Sequence, residues 1–230
     1  MITSTIGKNT PSQAAPAVCH INRVLLMDPC PVIRAGIDAF LSSQQFQVGD
    51  ILQAEKIRDV ALIMQRCKVD LVIAELCGEG ESVLDGLRTI NHLRQRWPLT
   101  PIIVATTLHD TRMLAQLIPL GATGIYLKQD PLTVLTHVLL RGLAGLHSLS
   151  PLAAILPDKN DLPPPLTGRE MDVLECLFAG KNVTATARAL NRDVRTVSTH
   201  KRNAMYKLGF HNDCDLYTSG NYLSRNGLLI

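Results

Sequence analysis

Short apolar runs alternate with helical patterns from residue 21 to residue 146, and this alternation limits the possible folds more than any other feature. The run at 70–75, DLVIAE, is apolar on both faces, as strands inside a parallel sheet are. The pattern predicts strands at 23–27, 46–52, 70–75, 102–106 and 124–127, and helices at 32–41, 56–67, 83–97, 111–120 and 131–146. Such alternation predicts an α/β domain with a flavodoxin-like, doubly wound parallel sheet.

The segments on either side of this pattern have a different composition. Residues 1–20 are rich in Ser, Thr, Pro and Ala, and we predict a disordered tail. Residues 147–165 end in three prolines, which neither continue a helix nor donate to a sheet, so we predict a Pro-rich linker. Beyond it the strand pattern stops. Residues 166–230 are predicted to form an all-α domain, with helices at 167–179, 183–190, 194–208 and 212–223.

All of the excess positive charge lies in this last segment. From residue 166 onward there are nine Lys and Arg against six Asp and Glu, whereas the first 165 residues carry 14 of each. Between residues 188 and 207 the one acid is Asp193. A basic block on an otherwise neutral chain suggests a polyanionic partner, although a solvated helix face has the same composition.

Other classes of protein find little support in the composition. The apolar runs are far shorter than the ~18 residues of a membrane span, and no secretory signal is visible, so we expect a cytoplasmic protein without membrane contact. The six cysteines form no CxxC pair, which favours reduced thiols. No hydrolase, P-loop or metalloprotease motif occurs, and we expect neither an enzyme nor a cofactor.

The last segment has the pattern of a helix-turn-helix. Thr167, with Glu170 three residues later, predicts a capping box at the start of its first helix, and Gly180 is placed to end that helix. Asp193 can cap the helix predicted at 194–208. This helix combines an apolar stripe with an opposite face of basic and hydroxyl side chains, a distribution that fits the DNA major groove.

The segment LTGREMDVLECLFAGKNVTATARALNRDVRTVSTHKRNAMYKLG resembles the LuxR-type helix-turn-helix of NarL/FixJ regulators in its opening LTxRE, its A-x-x-L, its T-V-x-x-H and its closing KLG. The resemblance implies double-stranded DNA as a partner, a helix-turn-helix at 183–202 and a dimerisation helix at 212–223. It places Ser198, Thr199 and Arg202 on base edges. The full set of implied DNA-binding residues is Arg195, Thr196, Ser198, Thr199, Lys201, Arg202 and Lys207, of which Arg195, Lys201 and Lys207 fall where phosphates are contacted.

Residues 21–146 are similar to a response-regulator receiver domain, notably in MDPCPVIRAG at 27–36 and YLKQDP at 126–131. The resemblance implies a phosphorylation pocket formed by Asp28, Glu75, Thr106 and Lys128. This pocket is degenerate, since Pro29 stands where that family has a second metal-binding acid and Glu75 where it has the phosphoacceptor Asp. Losing one acid and lengthening another weakens a Mg²⁺ site, so we expect a receiver-like domain that is not phosphorylated and holds no metal.

Two residues of this domain keep alternative interpretations. Glu75 either reaches Lys128 or Thr106 and imitates the phosphorylated state, or is a relic without a role. Tyr126 occupies the position of the family's switch aromatic, but a buried core aromatic fits the sequence equally well.

Over the whole chain the resemblance is to the RcsB group of these regulators and its auxiliary, BglJ-like members, on LKQ at 127–129, ALNR at 189–192 and AMYKLG at 204–209. Auxiliary members lack a working phosphorylation site and act as heterodimers with RcsB. The resemblance implies a transcription activator that acts without phosphorylation, as a heterodimer with an RcsB-like response regulator. The alternatives are an orthodox phosphorylated regulator, against which Pro29 and Glu75 count, and an interaction protein that titrates a partner without contacting DNA.

Overall fold

The computed structural model describes residues 19–42, 46–156 and 163–224. The elements are, in chain order, β1 (Cys19–Met27), α1 (Pro31–Leu41), β2 (Phe46–Ala54), α2 (Ile57–Arg66), β3 (Leu71–Ala74), α3 (Val83–Arg96), β4 (Ile102–Thr106), α4 (Thr111–Leu120), β5 (Gly124–Leu127), α5 (Leu132–Leu143), β6 (Ser148–Leu149), a 3₁₀ turn (Ala153–Ile155), α6 (Gly168–Phe178), α7 (Val183–Ala189), α8 (Val194–Lys207) and α9 (Asp213–Ser224). The predicted helices end within three residues of these limits.

The strands form one parallel sheet in the order β2-β1-β3-β4-β5-β6. Helices α1 and α5 cover one face with the buried side chains of Ile37, Leu41, Leu135, Val138 and Leu139, and α2, α3 and α4 cover the other. All four residues of β3 are buried because helices cover both faces of the sheet. The predicted doubly wound α/β fold is therefore confirmed, and the carboxyl ends of its strands meet at one edge.

The limits of the sheet differ from the prediction at two places. β1 begins at Cys19, so Cys19 and His20 are strand residues rather than tail; the rest of the predicted tail lies outside the described residues. Ser148 and Leu149, which were expected in the linker, form a sixth strand because they pair with Gly124 and Ile125 of β5. Residues 157–162 of the expected linker are also outside the described ranges, and the four domain limits stay predictions.

The predicted helix ends of the last segment are confirmed at the capping residues. The Thr167 side chain accepts a hydrogen bond from the Glu170 N–H, and the Glu170 carboxylate accepts one from the Thr167 N–H. Gly180, just after α6, has φ +82°, a left-handed conformation that glycine adopts without strain. The Asp193 carboxylate accepts from the Arg195 N–H at 2.7 Å and caps α8. None of the helices described is long and apolar enough to span a bilayer.

Candidate acceptor pocket and nucleic-acid interface

The four residues predicted for the degenerate phosphorylation pocket lie together at the carboxyl edge of the sheet. Asp28 follows β1, Glu75 follows β3, Thr106 ends β4 and Lys128 follows β5. All four line one cavity of about 80 Å³. The topology explains this proximity, because parallel strands deliver their last residues to the same edge.

Lys128 bridges the two acids of the pocket. Its ammonium Nζ donates to the Glu75 Oε2 at 2.8 Å and also to the Asp28 Oδ2, and all three side chains are largely buried. Burial by itself would lower the pKa of Lys128. The attraction and hydrogen bonds of Glu75 and Asp28 outweigh burial, so the pKa is raised above its ordinary value of 10.5. Lys128 is therefore charged at neutral pH and belongs to a network of one cation and two carboxylates.

Glu75 makes two further hydrogen bonds at the carboxyl edge. Its Oε1 accepts from the Leu76 N–H at 2.8 Å, and its Oε2 also accepts from the Thr107 N–H at 3.1 Å. The Thr106 hydroxyl instead accepts from the Leu108 N–H at 3.0 Å. Of the two partners that the sequence analysis offered for Glu75, the structure shows Lys128. Glu75 makes no hydrogen bond to the Thr106 hydroxyl among those described, and it accepts one from the Thr107 N–H instead.

Arg34 supports the loop between β1 and α1, and the sequence interpretation missed it. Its guanidinium is buried and donates to the carbonyl oxygens of Asp28 and Pro29 and to the Glu55 carboxylate at 2.9 Å. Asp28 is held from its other side, since its Oδ1 accepts from the Cys30 N–H at 2.8 Å. The available signal was an arginine within the otherwise mostly apolar segment PVIRAGIDAFL.

The donor set of this pocket does not fit Mg²⁺, the ion that receiver domains use. Pro29 offers no carboxylate, and the Asp28 and Glu75 carboxylates are both bonded to the Lys128 ammonium. Mg²⁺ requires oxygen ligands in near-octahedral geometry, and a cation between the two acids takes up the charge that would attract it. Across the described ranges, no group of three or more His, Cys, Asp or Glu residues could hold a metal ion.

Tyr126, at the position of the switch aromatic, lies in the core. Its side chain is buried, and its hydroxyl donates to the Asp130 carbonyl oxygen at 2.8 Å. Burial raises the pKa of the phenol. The ring packs in the cluster under α1 and α5.

Helix α8 presents an open face that contains five of the predicted DNA-binding residues. Arg195, Thr196, Thr199 and Arg202 are exposed, and Ser198 is half-buried. The Ser198 and Thr199 hydroxyls donate to main-chain carbonyls one turn earlier, at 2.8 and 3.0 Å. Because these bonds use the hydroxyl protons, both side chains are left as acceptors toward a ligand.

The two lysines of the predicted set lie differently. The Lys201 ammonium is 2.6 Å from the Asp213 carboxylate at the start of α9. The Lys207 ammonium donates to the Glu170 carboxylate at 2.8 Å and to the Pro165 carbonyl oxygen at 3.0 Å. Both ion pairs join α8 to other segments, so a phosphate that contacts either lysine shares its ammonium with an internal carboxylate.

Glu170 is itself a buried acid that depends on this arrangement. Burial acts to raise its pKa, but the hydrogen bonds from Lys207 and Thr167 outweigh it, so the pKa lies below the ordinary value of 4.5. A lowered pKa means that this carboxylate stabilises the fold above about pH 4.5, and that its contribution is lost as the pH falls through the folded-state value.

Comparison with known proteins gives two family matches along the chain. Residues 24–140 match the response regulator receiver domain, and residues 164–219 match the bacterial regulatory proteins of the luxR family. The first match covers strands β2 to β5, most of β1 and the Lys128 pocket, and the second covers α6 to α8 and the first half of α9.

Curated relatives align with this chain over most of their length. The transcriptional regulatory protein RcsB of Escherichia coli K12 is 31% identical over 209 residues, which cover 87% of this chain and 93% of RcsB. The fimbriae Z protein of Salmonella typhimurium is 26% identical over 200 residues, which cover 84% of this chain and 93% of that protein.

Solved structures of RcsB are similar over the same length. RcsB of Salmonella enterica serovar Typhimurium bound to promoter rprA has a TM-score of 0.62 at 29% identity, over 89% of this chain and 98% of that one. A structure of two RcsB dimers bound to two parallel DNAs has a TM-score of 0.57 at 27% identity, over 87% and 99%. The chain therefore belongs to the NarL/FixJ-type response regulators, in which a receiver domain precedes a LuxR-type DNA-binding domain.

Proposed function

We propose that this chain is a DNA-binding transcription regulator that acts without phosphorylation. The observation that carries the proposal is the bridge from Lys128 to Glu75 and Asp28. Both carboxylate oxygens of Glu75 accept hydrogen bonds, and the carboxylate forms an ion pair with the Lys128 ammonium. The two carboxylates already balance the charge of the buried Lys128 ammonium, so a phosphoryl group is not required for that purpose. In this proposal Glu75 imitates the phosphorylated state permanently.

DNA contact is assigned to the open face of α8. Its exposed arginines, Arg195 and Arg202, are suited to phosphate oxygens and guanine edges, while the acceptor hydroxyls of Ser198 and Thr199 suit base amino groups. The similarity to RcsB structures that contain DNA supports this assignment. We also propose activation as the sign of regulation, and the cytoplasm as the place of action.

The partner in this proposal is an RcsB-like regulator that docks on the outer face of α1. Val32 is 76% exposed, and Ala35, Gly36 and Ala39 continue an uncharged, exposed stripe at helical spacing. The space beside Gly36 is open, since an added Cβ would meet no atom within 4 Å. Exposed apolar surface of this kind marks interaction sites, and small side chains let a second helix approach closely. A structure of RcsB dimers on DNA supports a second regulator of this family as the occupant.

Incubation with acetyl phosphate and Mg²⁺ should leave the mass of the chain unchanged. The physical reason is that Pro29 and Lys128 leave no site for the metal that activates a phosphoryl donor. Intact-mass spectrometry measures the result, with an RcsB protein as the positive control under the same conditions. A Mg²⁺-dependent phosphoryl adduct on residues 19–156 that hydroxylamine or alkali removes would contradict the proposal.

Replacing Ala35 by arginine should weaken binding to an RcsB-like partner by about 2 kcal/mol or more, which is ~30-fold in Kd, because a charge would be buried in the interface. Calorimetric titration of the partner into the chain measures this loss. Leu62→Arg is the matched control, since Leu62 is 52% exposed on α2, on the opposite face of the sheet. Equal partner affinities for the two variants would show that α1 is not the docking face.

A further inference from the structure

A second cavity lies at the amino edge of the sheet, opposite the Lys128 pocket. Its wall comes from the last turns of α3, α4 and α5, the loops before β4 and β5, and His147 just before β6. Its volume is about 440 Å³, which is within the range of cavities that hold small molecules. We call it the amino-edge cavity, and its polar and apolar groups indicate what it can bind.

Arg94 of α3 has a defined place at the rim of this cavity. Its stem lies across Gly121, where an added Cβ would come within 2.4–3.0 Å of the Arg94 side-chain carbons. Gly121 also has φ +119°, so glycine is required there on both grounds. The Arg94 Nη1 then donates to the Pro98 carbonyl oxygen at 2.5 Å. An exposed but anchored guanidinium therefore provides a permanent positive charge at the rim.

The Thr123 hydroxyl is a second polar group of the cavity wall. Thr123 is only 8% exposed, and its oxygen accepts a hydrogen bond from the Ile102 N–H at 3.1 Å. Its own proton finds no acceptor among the residues that the structure describes. Because a hydroxyl can donate one hydrogen bond as well as accept, Thr123 retains a buried donor for a ligand.

Apolar side chains form much of the remaining wall. Leu99 is 94% exposed at the rim, whereas Leu143 is half-buried and Ile118 is buried. A Cβ added to Gly145 would meet no atom within 4 Å, so the cavity is open on that side. A ligand with an apolar body would be stabilised here by the removal of this surface from water.

The charges of the wall favour an anion over a cation. Arg94 is a cation and His147 adds an imidazole, whereas neither Asp nor Glu belongs to the described lining. The carbonyl groups at the end of α4 offer a cation little, because the Leu117 and Ile118 oxygens already accept from the Gly121 N–H. Anionic charge and an apolar body are together the properties of a small organic acid.

We propose that the amino-edge cavity binds a small carboxylic acid with an apolar body. The carboxylate accepts hydrogen bonds from the Arg94 guanidinium and the Thr123 hydroxyl. The apolar body lies against Leu99 and Leu143. Because the cavity is at the opposite edge of the sheet from the Lys128 pocket, binding there involves no phosphoacceptor. The inference depends neither on DNA binding nor on a partner subunit.

Titration of hexanoate and of benzoate into the ¹⁵N-labelled full chain tests this inference. At least one of the two acids should shift the NMR signals of the amides at 121–124 and 142–148, with a Kd on the order of a millimolar or tighter. The control ligand, 1-hexanol, has the same number of carbon atoms as hexanoate but no charge. It should bind at least about tenfold more weakly, because it lacks the charge-assisted hydrogen bonds.

Variants of two arginines on α3 separate this site from nonspecific binding. Arg94→Met keeps an apolar stem over Gly121 and removes the guanidinium, and should weaken binding of the acid about tenfold while leaving 1-hexanol unchanged. Arg96→Met, at an exposed arginine outside the cavity wall, is the matched control and should change neither affinity. Unshifted amides at 121–124 and 142–148 with both acids, or equal affinities of the two variants for the acid, would overturn the inference.

Discussion

On replacement of Lys128 by methionine, the free energy of unfolding should fall by about 3–5 kcal/mol, because two buried carboxylates lose the cation between them. Asp28 and Glu75 would then repel each other in a site from which water is largely excluded. The pKa of Lys128 is raised in the folded state, so the stabilisation is complete at neutral pH and is lost only as the pH rises above 10.5. Urea denaturation at pH 7 measures the effect.

Two further variants separate this charge effect from loss of packing. Lys68→Met removes an exposed lysine near the start of β3 and should change stability by no more than about 0.5 kcal/mol. Adding Asp28→Asn and Glu75→Gln to Lys128→Met should restore much of the stability, since the uncompensated charges are then gone. A loss in Lys128→Met no larger than that of the Lys68 control would mean that the bridge does not stabilise the fold.

Arg202→Ala should remove most of the preference for the operator while leaving much of the nonspecific affinity. An arginine with an open guanidinium can bond a guanine at two atoms, and one such contact is worth about 1–3 kcal/mol of discrimination, roughly five- to 150-fold. The operator can be selected from a random duplex pool in the presence of the partner. Titration of operator and scrambled duplexes at several salt concentrations measures both affinities.

Arg195→Ala provides the matched control on the same helix. Arg195 is predicted to contact phosphate, so its loss should weaken binding to all sequences alike and reduce the salt slope by about one unit. If Arg202→Ala lowered the operator and scrambled affinities by the same factor, Arg202 would be a phosphate contact, and α8 would lie in the groove differently from the proposal.

The sequence was sufficient for the elements that follow a regular pattern. The run at 70–75 predicted a buried strand of a parallel sheet because its apolar residues are continuous, and β3 is buried at every position. β6 could not be predicted, since two residues, Ser148 and Leu149, have no periodicity and become a strand only by pairing with β5. Ala153 and Leu156, in the segment predicted to be a linker, are buried core residues. Their burial could not be predicted because it depends on packing against residues distant in sequence.

The residues of the pocket followed from the resemblance, but their partners did not. Asp28, Glu75, Thr106 and Lys128 were expected together, and the structure brings them to one cavity. Local sequence patterns could not predict the hydrogen bond from Lys207 to Glu170 or the one from Gln116 to Lys207. The partners are 37 and 91 residues apart in sequence. Between residues 188 and 207 the sequence shows one acid, whereas Glu170 and Asp213, from other segments, pair with Lys207 and Lys201.

The 3₁₀ turn after β6 also limits how far the two parts of the chain can separate. Leu156 is buried beside the receiver core and Leu166 against Gln116, so ten peptide units connect two anchored residues. Fully extended, these units reach about 33–36 Å. An undocked DNA-binding part would therefore remain at an effective concentration on the order of millimolar near α4. A docking contact with an intrinsic Kd below about a millimolar would therefore be occupied most of the time, because of the short tether itself.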